Sequence, residues 1–260
     1  MFRSLALIVA VCSFLYSPSA TGQNPPPSDP QAISFAAQSI AAMTGGTTIN
    51  DATLTGNVTW NGSITDSGTF TLRALGQDES RMDLALSSGA LTEIRDAQTG
   101  VALGAWVLPD NTAGNFAPQN CWTDAAWFFP VLGALSMGPT VVLSYVGQET
   151  RNGTSVQHLQ AYQYIPGQFR GVTPQQLSTM DFYLDTAALL PLAITFNAHP
   201  DDNSGTNLLV EIDFSNYQTL NGITVPTHIQ KYQQGNLMVD MTVTGAAFNT
   251  GLSLSIFAIN

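Results

Sequence analysis

The sequence predicts a mainly β protein of the α+β class, with antiparallel meanders forming a curved sheet and a few helices beside it. Two observations carry that expectation. In the last quarter, residues 208–214, 222–229 and 237–243 follow one another as apolar-alternating runs. Leu208, Val210, Ile212 and Phe214 share one parity, as do Leu237, Val239, Met241 and Val243. Successive side chains on a strand point to opposite faces, so each run has one apolar face, and short links make the three an antiparallel meander. The same period of two governs residues 50–107, where Phe70, Leu72 and Ala74 alternate with polar neighbours and Met82, Leu84 and Leu86 do so again.

The elements follow in order. Arg3 and the apolar stretch from Leu5 to Tyr16 have the form of an export signal, and that stretch is too short to span a bilayer. Cleavage after Gly22 leaves small residues at Ala20 and Gly22, so residues 1–22 are expected to leave as a signal peptide. Val11 stands where a small residue should precede a lipidated Cys12, which argues against a lipoprotein. Residues 23–30 are rich in proline, which lacks an N–H and fixes φ, and form an extended tether. Residues 31–260 then read as one domain. Asp29 is a candidate N-cap with Pro30 at the first helical position, and Ile33, Ala36, Ala37, Ile40 and Ala41 recur at helical spacing until Gly45-Gly46.

Four or five strands are expected from 50 to 107, with Asn61-Gly62 and Ser88-Gly89 as turns. Residues 120–138 break the pattern: Trp122, Ala125, Ala126 and Phe129 fit one helical face, and Pro130 then interrupts, which predicts a kinked aromatic helix. That helix reads either as a connector plugging one end of the core or as a lid over a cavity. Further strands are expected near 141–149, 155–164, 179–185 and 190–198. A short helix should begin at Pro174, a turn should occupy 199–205, and the tail from 249 should close the structure as a strand or helical turn.

Composition narrows the function. The chain has 260 residues, 44% hydrophobic and 10% charged, enough for one large core. Seven Lys+Arg against 18 Asp+Glu give a net charge of -11, which repels nucleic acid and anionic membrane surfaces. Once Cys12 leaves with the signal, Cys121 has no intrachain partner and reads as a small buried hydrophobe.

Motifs for chemistry are sparse. His158, His199 and His228 are scattered without metal-ligand spacing, and the Asn, Asp and Gly around His199, Asp201 and Asp202 are what a hairpin turn selects. His228 reads as a surface or satisfied histidine. No Gly-x-Ser-x-Gly elbow or phosphate-binding glycine motif occurs, and the acids of Asp78-Glu79 and Asp201-Asp202 fall at expected turns, where solvation explains them. No catalytic residue, metal or cofactor is expected.

Residues Val210-Glu211-Ile212-Asp213-Phe214-Ser215-Asn216-Tyr217, then Asn221-Gly222-Ile223-Thr224-Val225-Pro226, Ile229-Gln230-Lys231-Tyr232 and the 237–243 strand form a recognisable run. It resembles bacterial periplasmic proteins of the lipoprotein-carrier superfamily, the LolA/LolB-like fold, most closely over 210–245. The resemblance implies a strongly curved antiparallel half-barrel with helices on or in its concave side and a cavity for acyl chains. No arginine lies between Trp122 and Met137, unlike the lid arginine of true carriers.

The expectation is an exported, periplasmic or secreted, noncatalytic carrier or sensor that binds a hydrophobic small molecule or lipid. Trp122, Trp127, Phe128, Phe129 and Leu132 form its lid, and Phe70, Leu72, Leu84, Phe196, Val210 and Ile212 stand among its walls. Each buried methylene of a ligand contributes about 0.8 kcal/mol, so apolar walls suffice. The alternative is an envelope interaction module with a filled core and a protein partner; a hydrolase with an unrecognised site ranks third. Stable membrane insertion after signal cleavage is not expected.

Overall fold

A computed structural model describes residues 24–62, 64–96, 103–166 and 171–259, so the expected signal peptide lies outside the described residues. Thirteen strands form one antiparallel sheet. They are β1 (Asp51–Asn61), β2 (Thr65–Leu75), β3 (Glu79–Leu86), β4 (Gly89–Asp96), β5 (Leu103–Val107), β6 (Ala113–Asn115), β7 (Val141–Arg151), β8 (Thr154–Gln163), β9 (Met180–Asp185), β10 (Pro191–Ala198), β11 (Leu208–Leu220), β12 (Ile223–Gln233) and β13 (Asn236–Phe248). Their spatial order is β6-β5-β4-β3-β2-β1-β13-β12-β11-β10-β9-β8-β7, so the first and last strands pair at the centre and β6 and β7 are the edges.

The sheet is curved into an open half-barrel. β4 and β10 stand seven steps apart in that order, roughly 34 Å on a flat sheet. Yet Glu93 of β4 and Phe196 of β10 line the same cavity, which only strong curvature allows. Core residues follow the parity of the sequence. Ala52, Leu54 and Val58 of β1, Phe70, Leu72 and Ala74 of β2, and Val239, Met241 and Val243 of β13 are all buried on the concave side. Asn221 and Gly222 join β11 to β12, and positive φ at both residues (49° and 83°) gives the type I′ geometry whose twist matches the flanking strands.

Helix α1 (Pro30–Thr44) begins as expected: the Asp29 carboxylate accepts N–H bonds from Gln31 (2.7 Å) and Ala32 (3.4 Å). Its buried face is Ala32, Ala36, Ser39 and Met43, whereas Ile33 is 36% exposed, so the apolar stripe is rotated from the expected one. Small side chains on that face let the helix settle into the concavity against β12 and β7. Just before it, the hydroxyl of Ser28 accepts the N–H of Leu143 (2.9 Å) and the N–H of Asp29 donates to Leu143 O (2.8 Å), which covers part of the β7 edge. Helix α2 (Pro174–Ser178) begins at the expected proline, with a capping box between Thr173 and Gln176.

The expected kinked helix at 120–138 is not present. The chain from 116 to 140 carries the backbone from edge β6 to edge β7 as irregular structure with single 3₁₀ turns at Pro118–Asn120, Pro130–Leu132 and Ala134–Ser136. The reason is burial on every side: residues 125–135 are buried without a break, so their apolar spacing marks no helical face. Pro118 and Pro130, which lack an N–H, open two of the turns. A second correction concerns Glu79, which opens β3 and is 2% exposed, whereas Asp78 stays in the exposed turn. The tail from 249 includes a 3₁₀ turn at Leu254–Phe257 that packs on β3 and β4.

Candidate functional site

Buried loops need partners for their backbone groups, and side chains of the crossing segment supply them to the turn after β10. Asn120 clamps His199 on both sides of its peptide: the amide nitrogen donates to His199 O (2.8 Å) and the amide oxygen accepts the His199 N–H (2.7 Å). Gln119 donates to Pro200 O (2.9 Å) and Asp201 O (3.0 Å). His199 is itself 5% exposed and hydrogen-bonds Thr206 O through Nδ1 (2.9 Å), which fits the turn reading of this histidine. Farther along, the Asp124 carboxylate accepts the N–H of Ala134 (2.8 Å), and burial together with the nearby Asp78 charge pushes its pKa up to about 6. Cys121 is a buried free thiol whose pKa burial raises.

Beneath this segment the concavity is divided. Toward the start of β1 and the end of β13 it is packed, with an open surface pocket of about 430 Å³ beside Ile49, Leu75, Val131, Leu132 and Leu254 at its margin. Phe129 stacks on Phe248 at 5.6 Å, Phe248 pairs with Ala52, and Phe128, Leu135 and Met43 complete a dry core. Toward Trp60, at the other end of β1, a partly open cavity of about 220 Å³ remains. Trp60, Phe116, Trp127, Phe196, Val210, Met238 and Val239 supply its apolar walls, and Asn120, Thr123, Asn197 and Gln233 its neutral polar groups.

Three charged side chains also face this cavity, and each stands in the inward phase of its strand. Lys231 follows Ile223, Val225 and Ile229 on the buried parity of β12, and Glu93 and Arg95 follow Leu91 on β4. The Lys231 ammonium lies 4.7 Å from the centre of the Trp127 ring, a cation–π arrangement. Burial pushes its pKa below the ordinary value, with Glu93 opposing and Arg95 adding to that shift. Arg95 donates through Nη1 to Asn120 O and lies 5.1 Å from the Phe116 ring centre.

The expected site residues therefore divide. Trp127, Phe196 and Val210 line the cavity, while Phe128, Phe129, Leu132, Phe70, Leu72, Leu84 and Ile212 belong to the packed core and Trp122 is partly exposed. Trp60, Glu93, Arg95, Phe116 and Lys231 were outside the expected set. Lys231 had a readable signal, because it is the only lysine in the chain and continues an apolar strand face.

The outer face of the sheet holds cross-strand polar ladders. His228 donates from Nε2 to Asp240 (2.9 Å), Gln230 donates to the same carboxylate (2.7 Å), and Ser215 Oγ lies 3.2 Å from His228 Nδ1. This has the residue types of a nucleophilic triad. The pattern is repeated, however, where His158 and Gln160 meet Asp181 at 2.9 and 3.0 Å, and repetition of one motif along a sheet marks cross-strand pairing. Arg73 and Arg81 bridge Asp83 at 2.7 and 2.8 Å, and Arg151 bridges Glu211. Among the described residues no group of three or more His, Cys, Asp or Glu could hold a metal ion, and no helix is long and apolar enough to cross a membrane.

No family model matches the sequence, and neither does any curated protein. Solved structures do match the fold. A Vibrio parahaemolyticus domain assigned to outer membrane lipoprotein sorting superimposes with a TM-score of 0.55 at 15% identity, over 87% of this chain and 96% of that one. A LolA superfamily protein from Nitrosomonas europaea gives 0.56 at 11% identity, over 88% and 97%. A DUF1329 family protein from Desulfovibrio piger gives 0.54 at 12% identity, over 88% and 96%. The chain has a LolA-like fold.

Proposed function

We propose that this protein is a noncatalytic carrier or sensor of a hydrophobic ligand, a lipid or an acyl chain, working after export in the periplasm or cell envelope. The observation that carries this reading is the cavity under the crossing segment, walled by Trp60, Trp127, Phe196, Val210 and Val239 and bordered by the packed core of the same concavity. The fold it shares with a domain assigned to lipoprotein sorting supports the same reading. Aromatic and aliphatic walls with a few polar groups are the usual make-up of small-ligand sites. At about 220 Å³ the cavity is below the roughly 300–1,000 Å³ of drug-sized pockets, so it suits the head and first part of a chain whose remainder leaves by the open side.

Native mass spectrometry of protein purified from its own cell envelope tests the reading, together with displacement of a dansyl-labelled undecanoic acid. Co-purifying lipid and saturable displacement are expected. Lipid-free preparations that fail to bind the dansyl probe favour the envelope interaction module, for which the packed residues Phe128, Phe129 and Leu132 already speak.

A further inference from the structure

The cations of this chain are few and unevenly served. Arg73, Arg81, Arg95, Arg151 and Lys231 are the Lys and Arg of the described residues, and the three outside the cavity each bridge a carboxylate. Arg95 and Lys231 form no such bridge among the described residues. Both face the cavity walled by Trp60, Phe116 and Trp127.

A partly buried ammonium without a salt bridge is costly, and a strand residue in phase with Ile223, Val225 and Ile229 would stabilise the fold better as an aliphatic. The chain nevertheless places its only lysine there. Trp127 offers the ammonium a ring face, which satisfies none of its three donors with an acceptor. Arg95 is held in place by Asn120 O and Phe116, which leaves guanidinium N–H groups for another acceptor. Glu93 is the one carboxylate lining the cavity, so two cations face one anion and the cavity is net positive inside a protein of net charge -11.

We propose that the ligand carries an anionic head group, a carboxylate or phosphate, held between Lys231 and Arg95 while its apolar body lies against Trp60, Phe196, Val210 and Val239. The inference rests on the carrier reading and names the class of lipid that the same cavity takes. Asn197 and Gln233, also on the cavity wall, add amide donors for the remaining head-group oxygens. A neutral ester or alcohol leaves the ammonium without its counter-charge, so the site selects by head group as well as by tail.

The test compares dodecanoate, dodecyl phosphate and dodecan-1-ol at one pH and salt concentration, by displacement of a neutral fluorescent probe, 1-pyrenyldodecane. Dodecanoate or dodecyl phosphate should bind at least tenfold more tightly than the alcohol, and whichever is tighter identifies the head. Lys231→Gln should reduce the anionic ligand to the level of the alcohol and leave the alcohol unchanged, while Lys231→Arg should keep the preference and serves as a folded control. If all three bind alike in the native protein, or if Lys231→Gln keeps the preference, the head-group inference is wrong and the carrier reading stands. If none binds, both fail. Acetate and inorganic phosphate form the last arm: competition by either at the concentrations that suffice for the amphiphiles means a free-anion site and overturns the carrier reading and the proposal together.

Discussion

The two ends of one concavity differ in what fills them. At the Phe248 end the crossing segment supplies Phe128, Phe129, Leu132 and Leu135 to a continuous dry core. At the Trp60 end the same segment supplies only two rings, Phe116 and Trp127, and the strands beneath it carry Lys231, Arg95 and Glu93 where apolar residues would be expected. The difference shows that an apolar inward phase builds a core, and that charges interrupting that phase mark the place where packing stops and a ligand can enter.

The largest expected effect belongs to the filled end. Phe129→Ala removes a ring with 0% exposure and should cost about 3–5 kcal/mol in chemical denaturation, with ligand affinity of the folded fraction unchanged. A loss of affinity without loss of stability would break the division between the two ends.

Asp124 comes next. Its folded pKa, about 6, is above the ordinary carboxylate value of about 3.9, so the native state holds the proton more tightly than the unfolded chain. The stabilisation from the neutral acid is complete below pH 4 and is lost as pH rises through about 6, a change of about 2–3 kcal/mol. Asp124→Asn should flatten stability over that window, measured by urea denaturation at pH 4, 5, 6 and 7.

Asn120→Ala strips His199 of both clamp hydrogen bonds and should cost about 1–2 kcal/mol in thermal or urea unfolding. Because Asn120 lines the cavity, the same change should also weaken ligand binding, an effect absent at Phe129. The smallest stability change is expected for Val210→Phe, within about 1 kcal/mol because the added ring grows into empty space, although it should abolish displacement of the dansyl probe.

The contrast also explains what could be read from the chain. Strand parity, the Asp29 cap and the Pro174 start are local signals, and the structure contains each of them. The crossing segment is not the helix its apolar spacing suggests, because in a run buried on all sides that spacing marks no face, and Phe128, Phe129 and Leu132 pack in the core while Trp127 reaches the cavity. Which inward residues border a void depends on curvature that brings β4 beside β10, and no spacing along the chain encodes that.

The chain's only lysine also provides the most direct measurement. Protein labelled only with ¹⁵N,¹³C-lysine gives one set of side-chain resonances, that of Lys231 in the cavity. Adding dodecanoate should shift its Nζ and Cε signals in a saturable way, while dodecan-1-ol should leave the ammonium shift near its starting value. A resonance that ignores dodecanoate at concentrations that displace the dansyl probe would contradict the account, because the ligand would then bind away from the only cation that the cavity places on Trp127.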